Sequence, residues 1–356
     1  MRAARPDFEV RSVRAAKLGK GSRGLSFEIN GVEKAVKVQI DGLSKALVEE
    51  LPDLSLDLLE IASIVYAADA AVSRGGPKDR HLGAAWYRAF EIEMPVRCWD
   101  VWQRPAVQVT LKALIEFLSG DTFRFAFVRH EGPSTDQSFF KFAPTDAWQP
   151  DRVLMFSGGL DSFAGALEET LEHGHKVALI SHFSSTKIAP RQRSLKQALE
   201  AHCGEGCCKH FPVRIHLAKG TNKETTYRTR SFLFAVLGTV VAQSFRQDRV
   251  SFHENGVVSL NLPPVANVVG TRATRTTHPQ TLSLMTDFFQ TVLGTPFRID
   301  NPYFWRTKTD VVATIDRLGL AAQIVETNSC ADTRNRTEQH PHWRWQPRQS
   351  AASNTV

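Results

Sequence analysis

The chain has 356 residues, 42% of them hydrophobic and 23% charged, a composition that suits two globular domains and argues against a disordered or fibrous protein. Its formal net charge of +7 suits a phosphate-rich or anionic partner, but no basic block or RNA-binding signature accompanies it, so direct nucleic-acid binding is not expected. The start, Met1 to Asp7, lacks the apolar core of a signal peptide, no apolar stretch is long enough to span a bilayer, and an odd count of five cysteines argues for a reducing compartment rather than a disulfide scaffold; the expectation is a soluble cytoplasmic protein.

Residues 1–149 read as an N-terminal α+β accessory domain. Leu25 to Ile29 and Ala35 to Ile40 alternate apolar and polar residues, and Asn30-Gly31 between them predicts a hairpin turn. A helical pattern follows with Leu54, Leu58, Ile61, Ala62 and Val65 on one face, ending before Gly75-Gly76-Pro77. Phe90 to Met94 and Thr122 to Phe127 are further strand candidates. Cys98, beside Trp99, reads as a core residue. Gly132 to Asp136 predicts a loop and Ala143 to Asp151 a linker. No catalytic motif stands out in this region.

Residues 150–329 change character. Val153-Leu154-Met155-Phe156 is a short continuous apolar run, as expected of a strand buried on both faces of a parallel sheet. Lys176 to Ile180 and Phe211 to Ile215 predict the next strands. Helices are expected over Arg191 to Ala201 and from about Thr226 to Phe245. This β-α-β-α alternation predicts an α/β fold with a doubly wound parallel sheet. His202, Cys203, Cys207, Cys208 and His210 gather soft ligands over few residues. Their spacing is not a paired C-x-x-C pattern, and with Gly204 and Gly206 among them they read as an exposed loop.

Between the first strand and helix of this region stands Ser157-Gly158-Gly159-Leu160-Asp161-Ser162. In open α/β sheets ligands lie beyond the carboxyl ends of the strands, where this segment falls. Gly158 and Gly159 remove side chains so that backbone amides can face a phosphate. The helix opening near Leu160 adds free N–H groups and its positive dipole end. Ser157 and Ser162 supply hydroxyl donors. Asp161 is an acid where an anion is expected, so it either holds Mg²⁺ or orients the loop. A plain strand–turn–helix connection would also use Gly and Ser, but six such residues in this context point to nucleotide. The loop is not a Walker A sequence, since Gly-Lys-Ser/Thr is missing.

These six residues resemble the S-G-G-x-D-S signature of PP-loop (N-type) ATP pyrophosphatases, and the resemblance implies a PP-loop, Rossmann-like domain that cleaves ATP to AMP and pyrophosphate. Arg230-Ser231-Phe232-Leu233-Phe234 resembles an element of the 7-cyano-7-deazaguanine synthases, with Ser231 in place of that family's Asn. Asn301-Pro302-Tyr303 with Lys308-Thr309-Asp310 resembles the stretch before its last helix, and Ser329-Cys330 the start of its zinc-binding C-terminus. Together with the extra N-terminal region, Glu254-Asn255-Gly256, Thr274 to Pro279 and Thr333 to Thr337 are similar to the Qat-type branch associated with bacterial anti-phage operons.

The resemblance implies an ATP-dependent ligase with Mg²⁺. It would activate a 7-deazaguanine-type carboxylate for nitrogen attack, beside proteins of a defence operon. Arg230 and Lys308 would then be cations for the phosphates or the developing charge, with Asp161 the third catalytic residue; each cation could equally be a surface charge at a helix start. Glu254 would bind the amino edge of a purine-like base, or merely serve Asn-Gly turn chemistry. Arg275 and His278 would hold phosphate, or His278-Pro279 would simply open a helix.

Residues 330–356 depart from the family. Cys330 matches a zinc ligand, but Trp343 stands where the next Cys is expected, and His340 and His342 flank Pro341. The segment therefore reads as a remnant of the zinc-binding C-terminus with a disordered tail, and zinc is expected to be absent. Two rival readings remain: another PP-loop enzyme that modifies tRNA, and a nucleotide-binding subunit of a defence complex without turnover.

Overall fold

The computed structural model describes residues 10–17, 24–39, 51–74, 87–131, 148–182, 188–217, 221–224, 226–261 and 274–327. The loop at 132–136, the first part of the linker at 143–151, and the Cys330, His340 and His342 segment lie outside these. Three antiparallel strands come first: β1 (Val10–Lys17), β2 (Gly24–Ile29) and β3 (Val32–Gln39). Asn30 and Gly31 join the last two with φ of +49° and +77°, the left-handed pair that a tight hairpin turn requires. Helix α1 (Asp53–Ala71) follows, then β4 (Ala89–Val96), the single turn α2 (Trp99–Trp102), α3 (Pro105–Ser119) and β5 (Thr122–Arg129).

Pro105 in its first turn and Gly120 at its C-cap (φ +76°) frame α3. Strand β4 lies parallel to both β1 and β5, so α3 is a crossover between parallel strands. The N-terminal region thus contains a β-α-β unit as well as the expected hairpin.

The second region runs β6 (Arg152–Met155), α4 (Leu160–Leu167, continued by a wider π-type turn over Glu168–Glu172), β7 (Val177–His182), α5 (Ile188–Cys203) and β8 (Cys208–Leu217). It goes on through α6 (Arg230–Ser244), β9 (Arg249–Ser251), α7 (Gly256–Leu260), α8 (Pro279–Leu293), β10 (Arg298–Asp300) and α9 (Lys308–Arg317) to a 3₁₀ turn at Ala321–Glu326. Strands β10, β9, β6, β7 and β8 are parallel neighbours in that order. The protein is α/β.

One strand joins the two regions. The first part of β8 pairs parallel with β7, Val177 opposite Cys208. Its last four residues pair antiparallel with β3, Val36 opposite Leu217 and Gln39 opposite Arg214. A single ten-stranded sheet results. Side chains of a strand alternate between faces, and β6 shows the outcome: Val153 and Met155 enter one apolar core, Leu154 and Phe156 the other. The first core, with α1, α3, α6 and α8, runs without a break from Val13 and Phe27 to Phe252 and Ile299. The second gathers α4, α5 and α9 through Phe163, Leu195 and Val311.

The cysteines require a correction. Cys203 ends α5 while Cys208 and His210 lie on β8, against the exposed-loop reading, and Cys203 pairs with Cys207 across the intervening turn. Gly204 and Gly206, at φ +91° and +81°, turn the chain from α5 into β8 sharply enough to bring the two sulfurs together. Cys208 is buried at the start of β8, and His210 shares a hydrogen bond of 2.7 Å with Ser181 Oγ. Cys98 is half-buried against the first core. Among the described residues, no helix is long and apolar enough to cross a membrane.

Candidate functional site

Strands β6 and β9 are neighbours, Leu154 opposite Ser251, but their connections part: β7 and β8 lie to one side and β10 to the other. A crevice at such a parting is where α/β sheets take ligands. The segments leaving the carboxyl ends of β6 and β9 are Ser157–Ser162 and Phe252–Gly256. Gly158 has φ +80°, a conformation a residue with a Cβ rarely adopts. Gly159 is the N-cap of α4 and offers no side chain, so the first-turn amides are left to an outside acceptor. Within the loop, Ser157 Oγ accepts from Gly159 N at 3.2 Å, and Ser162 Oγ donates to Gly159 O at 3.0 Å. The two hydroxyls lie 3.1 Å apart. Gln192, fully buried on α5, donates to Ser157 O at 3.0 Å and fixes the loop from behind.

Asp161 joins three elements. Its Oδ2 accepts from Asn255 Nδ2 at 3.0 Å and from Lys308 Nζ at 2.9 Å, while its buried Oδ1 has no hydrogen-bond partner. Lys308 is placed by the start of α9, where Thr307 and Asp310 cap each other reciprocally. Asn255 also caps α7, accepting from Val258 N at 3.2 Å. Gly256 lets this stretch pass the turn that carries Lys308: its N donates to Arg306 O at 3.0 Å, and an added Cβ would stand 2.2 Å from Phe304 O. Thus the fold brings Asp161 and Lys308, far apart in sequence, into direct contact.

Glu254 belongs to the same edge. Asn301 Oδ1 accepts from its backbone N at 3.1 Å, Asn301 Nδ2 donates to its carbonyl at 2.7 Å, and Thr277 Oγ1 donates to its Oε2 at 2.5 Å. Burial, reinforced by the charge of Asp161, raises its carboxyl above the ordinary value, and the Thr277 hydroxyl only partly opposes this. Arg230, first residue of α6, holds its guanidinium 5.6 Å from the Phe234 ring centre. It is close enough to His182 to help burial depress that imidazole to about 3.

Arg275 and His278 have other partners. Arg275 donates to Phe117 O at 2.6 Å and covers the Phe117 ring. His278 is the N-cap of α8, its Nδ1 accepting from Gln280 N at 3.1 Å. Both therefore dock α8 on α3, and the helix-entry reading of His278-Pro279 describes what the geometry shows. Gln192, the bond from Thr277 to Glu254 and the capping role of Asn255 were not legible in the sequence; a lone Gln in a helix carries no sequence signal.

The unpartnered Oδ1 of Asp161, beside two hydroxyls and uncapped amides, fits a cation carried by a polyphosphate. Comparison with models of known protein families finds no match, and none of the curated proteins is significantly similar.

Proposed function

We propose that the chain is an ATP-cleaving enzyme of the PP-loop class, built on a doubly wound sheet, that adenylates a carboxylate. The observation that carries the reading is the Ser157–Ser162 loop at the β6/β9 parting, with Asp161 tied to Lys308. In this reading the α4 amides, Ser157 and Ser162 hold the phosphates. Asp161 would hold Mg²⁺, which when bound would neutralise charge on the triphosphate. The substrate carboxylate oxygen attacks the α-phosphorus, and the bond to the bridging oxygen breaks to release pyrophosphate. A nitrogen nucleophile then attacks the acyl carbon, and AMP leaves. Lys308 and Arg230 place positive charge where negative charge accumulates.

The likeness to 7-cyano-7-deazaguanine synthases makes a 7-carboxy-7-deazaguanine-type acid the substrate of choice, in a cytoplasmic anti-phage setting beside operon partners. Glu254, whose carboxyl burial pushes above its ordinary value, suits the amino edge of a purine-like base. AMP and pyrophosphate formation from ATP, with and without that acid, is the test. Asp161→Asn is expected to abolish both products with the fold intact; retained turnover would remove the loop from the reaction. One observation favours a nucleotide-binding subunit without turnover: Asp161 is already paired with Lys308. Binding of an ATP analogue with no AMP from any acid would decide for that reading.

A further inference from the structure

The segment leading into α6 is fastened to the end of α1. Ala70 O accepts from Lys223 N at 2.8 Å and Glu224 N at 2.9 Å, and Glu224 Oε2 accepts from Arg74 N at 2.7 Å. Asp69, on the last turn of α1, is 0% exposed. Its Oδ1 pairs with Arg88 and lies 3.5 Å from Arg74, and both arginines also bind the buried Asp121. Its Oδ2 takes two hydrogen bonds from one residue, Thr229 N and Thr229 Oγ1, each at 3.0 Å. Burial works to raise the Asp69 carboxyl, but Arg88 and Arg74 hold it below its ordinary value, so it is a fixed negative charge.

A buried ion cluster is costly to desolvate, and well-packed apolar groups often stabilise as well. What it supplies beyond stability is geometry. Thr229 is the N-cap of α6, and the next residue is Arg230. An arginine side chain has much rotamer freedom, and a displacement of about 1 Å at a reacting centre can cost about a hundredfold in rate.

We propose that Asp69, acting through Thr229, is the positioning residue for Arg230, which makes α1 a working part of the site and not an appendage. This rests on the reading that Arg230 serves the phosphoryl or acyl chemistry. Tyr66, one turn earlier on α1, is stacked with Tyr227 at 5.8 Å and lies 6.3 Å from His182, so the same helix also packs against the segment that leads into Arg230.

Asp69→Asn strips the charge facing two buried arginines and endangers folding itself, so Thr229 carries the test in the full chain. Thr229→Val removes the hydroxyl donor at constant shape; Thr229→Ser keeps it. In the first arm, the Arg230 Nε–H resonance, assigned by its loss in Arg230→Lys, is expected to shift or broaden in Thr229→Val and to persist in Thr229→Ser. In the second arm, kcat for AMP formation falls about tenfold or more in Thr229→Val while KM for ATP holds within about twofold. The double variant Thr229→Val/Arg230→Ala is expected to be no slower than Arg230→Ala alone. An unmoved Arg230 resonance, losses that multiply in the double variant, or equal loss in Thr229→Ser overturns the proposal. A wild-type protein that makes no AMP sinks the functional reading instead, and the resonance arm still decides the positioning.

Discussion

At the scale of single residues, the contact between Asp161 and Lys308 separates chemistry from stability. Lys308 is 55% exposed on its side chain, and an exposed ion pair contributes only about 0–1 kcal/mol to folding. Lys308→Ala should therefore leave the melting temperature nearly unchanged. Under the proposed chemistry it should lower kcat about a hundredfold, the scale on which removing a charge that faces the transition state acts. Steady-state rates and a thermal melt on the same sample check both halves. A large loss of stability with little loss of rate would make Lys308 a strut. The loop Ser157–Ser162 was legible in the sequence because six adjacent residues carry it. Gln192 was not, nor was the contact of Asn255 with Asp161, since each is brought in by a separate strand or helix.

Among the elements, those framed by turn chemistry were readable and those shaped by burial were less so. The β2–β3 hairpin announced itself through Asn30-Gly31, and β6 and β7 through unbroken apolar runs. Strand β1 carries Arg14 between its core residues Val13 and Ala15, and Arg11 just before them, and it escaped notice. Helix α3 escaped as well, although Pro105 and Gly120 mark its ends. Helix α1 looked one-faced but is buried nearly all round, because Asp57 and Asp69 find partners inside, in Arg97, Trp102, Arg88 and Thr229.

Close approaches between elements were invisible to pattern. Gly165 in α4 lies against His253, and an alanine Cβ there would stand 2.2 Å from the ring. Gly165→Ala is expected to cost about 1–3 kcal/mol by overpacking, read as a lower urea midpoint. An unchanged midpoint would mean the two elements can part freely. Gly256→Ala meets a backbone carbonyl instead and should displace the turn that carries Lys308, lowering turnover more than stability.

For the molecule as a whole, buried imidazoles set the response to acid. Burial, as the leading cause, lowers His182 to about 3 and His210 and His253 each to about 4, against an ordinary value of 6.5. The unfolded chain takes up these protons near 6.5, and the native state refuses them until far lower pH. Their stabilisation is whole above about pH 6.5 and is lost progressively as pH falls towards 4 and 3. Each histidine contributes up to about 1.4 kcal/mol per pH unit in that window. Urea unfolding at pH 7.5, 6 and 5 should give a steadily falling free energy, and a flat profile would show that the three rings reach solvent.

The seam between β3 and β8 sets a timetable for synthesis. The second half of β8 follows β3 by nearly half the chain, so at translation speeds the nascent hairpin waits on the order of ten seconds with one edge unclosed. An open edge is a template for unwanted pairing for as long as it waits. A chain stopped at residue 149 is accordingly expected to pellet or be digested rapidly, while one carried past α9 resists; a soluble, protease-resistant short fragment would show that the hairpin matures without its late partner.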